Sequence, residues 1–166
     1  MQHHFTNSDV LIAHLRGVVP KLPDPLLRQN YTGLLCVIGV ASYELCIKEI
    51  FCSFGARKHR TFGSFVDAYF DRINGRIRLK HIREEYLDRF GEKYRNRFDR
   101  LLDAEEKTTL RNMGKSVRSC YSNLITWRHQ FAHEGQLPNN ATFDEALESF
   151  EVGKRVIRTL QASMVR

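Results

Sequence analysis

Residues 24–54 read DPLLRQNYTGLLCVIGVASYELCIKEIFCSF, and their spacing predicts one helix from about Pro25 to Phe54. Asp24 followed by Pro25 is an N-cap with proline in the first helical turn. Leu27, Tyr31, Leu34, Ile38, Ala41 and Leu45 recur at steps of four and three. A second row runs Val37, Val40, Glu44, Ile47, Phe51 and Phe54. Neither row alternates as a strand would. Two apolar rows on one helix predict an element covered on more than one side, and therefore a central one.

The chain on either side is helical as well. Phe5 to Arg16 has the pattern of a short first helix, which Pro20 and Pro23 then interrupt. Arg57-Lys58-His59-Arg60 reads as a loop. Phe62 to Ile73 is a predicted helix with Phe65, Tyr69 and Ile73 on one face, and Asn74-Gly75 is a turn signal. Ile77–Phe90 and Lys93–Leu102 follow as helices broken near Gly91, and residues 103–109 are compatible with helix or loop. From Lys115 a strong helix carries Val117, Tyr121, Leu124, Arg128 and Phe131 along one stripe, with Gly135 as its stop. Pro138-Asn139-Asn140 is a loop, and Thr142-x-x-Glu145 is a capping box for a last helix toward Met164. The expected fold class is all-α, a bundle of about five to seven helices around one long central helix, forming a single domain over residues 1–166.

Bulk composition agrees. A chain of 166 residues buries roughly 70% of the surface that its unfolded form exposes. It therefore needs neither disulfide nor structural metal for stability. Cys36, Cys46, Cys52 and Cys120 show no CxxC spacing and read as thiols of a reducing cytosol. No apolar run reaches the roughly 18 residues of a membrane span, and Met1 to Thr6 lacks a secretory pattern. The expected location is cytoplasmic, away from membranes. Net charge is +7, and residues 57–100 hold nearly all of it, with thirteen Lys or Arg against seven Asp or Glu. A basic surface favours a polyanion, because each neutralised phosphate releases counterions. Arg57, Lys58, Arg60, Arg76, Arg78 and Lys80 are the candidate RNA contacts. Tyr69, Tyr86 and Tyr94 lie among these basic residues, placed either to stack on bases or simply to pack. The same surplus of charge is also compatible with a solvated helical face.

The chemistry lies late in the chain, in Trp127-Arg128-His129-Gln130-Phe131-Ala132-His133-Glu134-Gly135. Arginine holds a phosphate through its planar fork of donors, and histidine moves a proton near neutral pH. Arg128 interrupts one apolar row and Glu44 another. An unpaired buried charge is costly, so the simplest expectation is a Glu44–Arg128 hydrogen bond that aims the guanidinium. On an ideal helix, five residues offset Arg128 and His133 by about 140°. They meet only if the helix bends or ends between them, or if two copies of the chain share one cleft. There is no Walker phosphate loop, no supportable Ser-His-Asp arrangement and no zinc-finger pattern. His129 and His133 have the i, i+4 spacing of metal ligands but no obvious third ligand, and His3-His4 is too short to read as a metal site.

Arg-x4-His with a polar residue after the arginine resembles the motif of the HEPN superfamily. Phe131-Ala132-His133 and Gly135 match its Ala-His-Gly ending, with Glu134 intervening. Ala41-Ser42-Tyr43-Glu44-Leu45 resembles the early helix of the RiboL-PSP-type branch. The resemblance implies a metal-independent endoribonuclease needing no cofactor, or an inactive RNA-binding relative. It also implies a homodimer with a composite cleft, and a role as toxin or anti-phage effector with an antitoxin or defence-system partner. Arg128 and His133 would then be catalytic, with His129 and Glu44 in support. Three other readings stay open. The domain is a non-catalytic RNA- or protein-binding module, a helical dimerisation domain locked by Glu44 and Arg128, or a metal-dependent hydrolase.

Overall fold

A computed structural model describes the backbone of residues 2–165 and the side chains of residues 5–165; His3-His4 as a possible ligand pair lies outside these side chains. Helix α1 spans Gln2–Val18 and packs Phe5, Ile12 and Leu15 inward. A short 3-10 turn, Val19–Lys21, carries Pro20. Asp24 then starts α2, Pro25–Lys58, by accepting the Leu26 N–H at 2.8 Å. This 34-residue helix contacts α1, α3, α6 and α7 and is the axis of the bundle.

The loop expected at 57–60 is a single extended residue. Arg57 and Lys58 complete the last turn of α2, and His59 caps α3, Arg60–Phe70, with its ring nitrogen accepting from the Thr61 N–H at 3.2 Å. A side chain that supplies the first donor partner removes the need for a longer connection. The Asn74-Gly75 turn forms as expected, with φ of 33° and 76°. Ile77 and Arg78 precede the next helix rather than belonging to it. A π-helical segment, His81–Leu87, leads into α4, Asp88–Phe90. The ambiguous residues 103–109 belong to one continuous helix, α5, Glu92–Met113, which buries Tyr94, Phe98, Leu102 and Thr109. Ser116 caps α6, Val117–Glu134, and Gly135 ends it at φ 68°. Thr142 accepts the Glu145 N–H at 3.2 Å and starts α7, Phe143–Ser163. No strand occurs among the described residues.

One hydrophobic cluster joins α1, α2, α5, α6 and α7. Tyr43 is its centre, with its ring stacked on Tyr121 at 5.2 Å and Phe150 at 5.7 Å. Its hydroxyl donates to the Phe150 carbonyl at 2.6 Å. The four cysteines are free thiols. Burial pushes Cys36 and Cys46 up to about 12, which leaves little thiolate for nucleophilic chemistry. No helix among the described residues is long and apolar enough to cross a membrane.

Two expectations about packing are corrected. The α2 row Leu27, Tyr31, Leu34, Ile38, Ala41, Leu45 is not covered: Leu27, Leu34 and Leu45 are 43%, 42% and 47% exposed. Its neighbours pack against the other sides of the helix. The buried charge is neither Glu44 nor Arg128 but Lys154, at 4% exposure. Its ammonium meets Asp9 at 2.6 Å and Glu151 at 3.0 Å, and lies over the Phe150 ring at 4.3 Å.

Candidate active site

Helix α6 carries the whole motif without interruption. Its apolar stripe puts Val117, Tyr121 and Leu124 into the core, and Trp127 is buried with them. The next turn leaves Arg128 half-buried and His129 and His133 exposed. The His129 and His133 rings stand 4.4 Å apart between centroids, tilted by 55°. Since the helix continues to Glu134, it neither bends nor ends between Arg128 and His133. The two side chains leave one helix about 140° apart.

Glu44 does not pair with Arg128. One carboxylate oxygen accepts the Gly75 N–H at 2.8 Å and the other meets Lys48 at 3.2 Å. The 71–75 turn reaches these groups first, and Lys48 also donates to the Asp71 carbonyl at 3.3 Å. Arg128 approaches the same turn, its Nη1 standing 3.8 Å from where a Cβ on Gly75 would project. Glu44 and Arg128 thus both lie against Gly75 without touching each other.

The same short segment is held twice more. Tyr86 donates its hydroxyl to the Arg76 carbonyl at 2.6 Å, and Tyr121 donates to the Ile77 carbonyl at 2.6 Å. Three consecutive residues are thus anchored by side chains from α2, the π-helical segment and α6. These anchors carry no signal in the sequence, because the partners are 10 to 44 residues apart. Removing the first should loosen the turn. Glu44→Ala is expected to cost about 1–3 kcal/mol, since a partly buried N–H loses its acceptor, and to lower the melting temperature by several degrees. Glu44→Gln, whose amide oxygen still accepts, should stay near wild type.

The six basic candidates do not form one patch with Arg128. Arg57, Lys58 and Arg60 lie at the far end of α2, beyond Phe54. Arg76 flanks the turn but is bound to Glu85 at 2.6 Å, and Lys80 is near Glu84 at 4.0 Å. Arg78 is exposed and has no carboxylate among the described residues. Arg72, a basic residue the sequence reading passed over, lines a groove of about 520 Å³ with Phe65, Tyr69, Ile73, Arg76 and Tyr86. Phe65, Tyr69 and Ile73 do share a face, and that face borders the groove. Phe65 is 68% exposed and the Arg89 guanidinium stacks 4.5 Å from the Tyr69 ring centroid. Of the other tyrosines considered for base stacking, Tyr86 and Tyr94 are buried.

Arg128 has no carboxylate partner among the described residues. It is a half-buried guanidinium with donors left for an anion, on the same helix as two exposed imidazoles. No three His, Cys, Asp or Glu side chains among the described residues converge as metal ligands.

Comparison with known proteins matches the chain to a family. A family model described as RiboL-PSP-HEPN covers residues 7–165. No curated protein and no solved structure gives a significant match. The matched span runs from α1 through the end of α7, so it includes the Arg128–His133 motif, the long helix and the turn that joins them, and the chain belongs to the RiboL-PSP-HEPN family.

Proposed function

We propose that this domain is a metal-independent endoribonuclease acting as a homodimer in the cytoplasm. The observation that carries the reading is the Arg128 guanidinium without a carboxylate partner among the described residues, on the same helix as the open His129–His133 pair. A guanidinium that only locked packing would have a carboxylate, and a core histidine would be buried. Neither description fits these side chains.

The reaction asks little of the protein, because RNA brings its own nucleophile tethered beside the target phosphorus. The ribose 2′-oxygen attacks phosphorus and gives its proton to one imidazole. The P–O5′ bond breaks and the 5′-oxygen takes a proton from a second imidazole. The products are a 2′,3′-cyclic phosphate and a 5′-hydroxyl end. His133 of one subunit is the base and His133 of the partner subunit is the acid. Arg128 binds the non-bridging oxygens and stabilises the charge that builds on them. His129 packs on His133 and helps to orient it. Single-stranded RNA extends from Arg128 past Gly75 into the Phe65–Tyr69 groove, where rings stack on bases and Arg72 and Arg76 meet phosphates.

Two motif copies are needed because Arg128 and His133 diverge on one continuous helix. Such self-contained chemistry suits a toxin or anti-phage effector that an antitoxin or defence partner holds in check. The test is purified protein with a short single-stranded RNA in EDTA, with the ends of the products identified. The reading expects 2′,3′-cyclic phosphate ends, and no cleavage at a linkage whose 2′-hydroxyl has been replaced by hydrogen. Tight RNA binding without product would instead identify a non-catalytic binding module. Activity lost on chelation would identify a metal-dependent hydrolase.

A further inference from the structure

Two imidazoles stand side by side on the last turns of α6. His129 and His133 are both exposed, with ring centroids 4.4 Å apart. Their i, i+4 spacing places them on one face of a continuous helix. Beyond their contact with each other, neither imidazole has a hydrogen bond or ion pair to another described side chain. Proton transfer at His133 gives no reason for a second, equally open imidazole in van der Waals contact with it.

The pair has the geometry of a chelate. A neutral imidazole offers one nitrogen lone pair, which suits zinc, copper and nickel better than magnesium or calcium. A tetrahedral ion held at about 2.0–2.1 Å from two such nitrogens sets the ring centres about 5 Å apart. The 4.4 Å seen here falls short of that by less than about 1 Å, and exposed histidines, whose χ2 is broad, make up such a difference by small rotations.

The position favours a cation for a separate reason. Helix α6 ends at Glu134, and the unbonded carbonyls of a last turn give a helix C-terminus partial negative charge. The Glu134 carboxylate belongs to that turn. Arg128 projects about 100° away from His129 and about 140° away from His133, so its charge leaves the helix on another side.

We propose that His129 and His133 together bind one divalent late transition-metal ion of the zinc class, and that the bound ion stops proton transfer at His133. Two protein ligands leave the other positions to water, unlike a structural zinc site closed by four. The ion is therefore exchangeable rather than resident. An imidazole nitrogen that gives its lone pair to the metal cannot accept the 2′-hydroxyl proton, and release of the ion restores it. The site stands on geometry alone, whereas its effect as a reversible brake rests on the nuclease reading.

Zinc is the probe, added to the full chain carrying His3→Ala and His4→Ala, which removes the other close pair of histidines in the sequence. One ion should bind per chain and shift the imidazole proton resonances of His129 and His133 together. Melting should rise by several degrees, because an ion that binds the folded form stabilises it. Excess magnesium should do neither. His129→Ala and His133→Ala should each abolish zinc binding, whereas His14→Ala, at an exposed position on α1, should not. Saturating zinc should suppress RNA cleavage, and EDTA should restore it. No binding at millimolar zinc, undiminished binding in either alanine variant of the pair, or full cleavage with the pair saturated would each overturn the proposal. Zinc held by the pair in a chain that cuts no RNA even in EDTA would support the site and overturn the nuclease reading instead.

Discussion

His133→Ala is expected to slow RNA cleavage by about 10²–10⁴-fold, the usual contribution of a positioned proton carrier. Arg128→Ala is expected to slow it by about 10²–10³-fold through lost transition-state charge stabilisation. Neither should disturb the fold much. His133 is exposed and Arg128 has no carboxylate partner among the described residues, so melting should move by no more than about 0.5 kcal/mol in equivalent stability for His133→Ala. That separation matters, because a motif that merely locked the bundle would show the reverse pattern of lost stability and unchanged activity. Arg128→Lys tests the fork itself, since an ammonium gives a point charge without two parallel donors, and partial activity is expected. Mixing the two alanine variants then tests the paired-imidazole mechanism. A mixed dimer holds a single His133, so it lacks either the base or the acid and should recover little activity. Recovery to about a quarter of wild type, the value for random exchange of subunits of a two-fold dimer with one working pair per mixed dimer, would show that one His133 with the Arg128 of the other subunit suffices. Equal cutting by wild type and both variants would mean that the motif is not the active site.

The helical plan was legible because it rests on local rules. Asp24-Pro25, Ser116, Thr142 and Gly135 set helix ends by capping within a few residues, and the core stripe of α6 follows the helical period. What the sequence hid is pairing at a distance. Glu44 was recognised as a charge among apolar residues, and a carboxylate there does need partners. The partners proved to be Lys48 and a backbone N–H 31 residues away, groups that charge patterning does not single out. Lys154 carries no such signal, for the opposite reason. It sits one turn from Glu151 in a segment that looks solvated, and only the approach of α1 with Asp9 and Phe5 buries it. The exposed α2 stripe shows a different limit. Period alone reports that a row is apolar, whereas the cover for that row belongs to the fold or to another molecule.

Tyr43→Ala is expected to be the most damaging single change outside the site, costing about 3–5 kcal/mol. At about 2–4 °C per kcal/mol for a chain of this size, melting should fall by about 6–20 °C. The ring is fully buried between Tyr121 and Phe150, and truncation leaves a void that three helices cannot all close. Tyr43→Phe keeps the stacking and loses only the bond to the Phe150 carbonyl, about 0.5–1.5 kcal/mol. Burial holds the phenol well above its ordinary value of 10. The unfolded chain therefore ionises first, and the stabilisation present below pH 10 is lost as pH rises toward the folded value. Tyr43→Phe should weaken that alkaline loss, with Tyr121, raised in the same way, carrying the remainder. The hydroxyl also explains a glycine. A Cβ on Gly153 would collide with the Tyr43 oxygen and crowd the Tyr121 backbone at 3.3 Å. Gly153→Ala should thus be costly in the wild-type background. It should cost less in the Tyr43→Phe background, where the colliding oxygen is gone and the crowding against the ring Cζ at 3.2 Å and the Tyr121 backbone at 3.3 Å is what remains. A double-mutant cycle should give a coupling of about 0.5–3 kcal/mol. An equal cost of Gly153→Ala in both backgrounds would show that the approach of α7 to α6, not the buried hydroxyl, dictates glycine there.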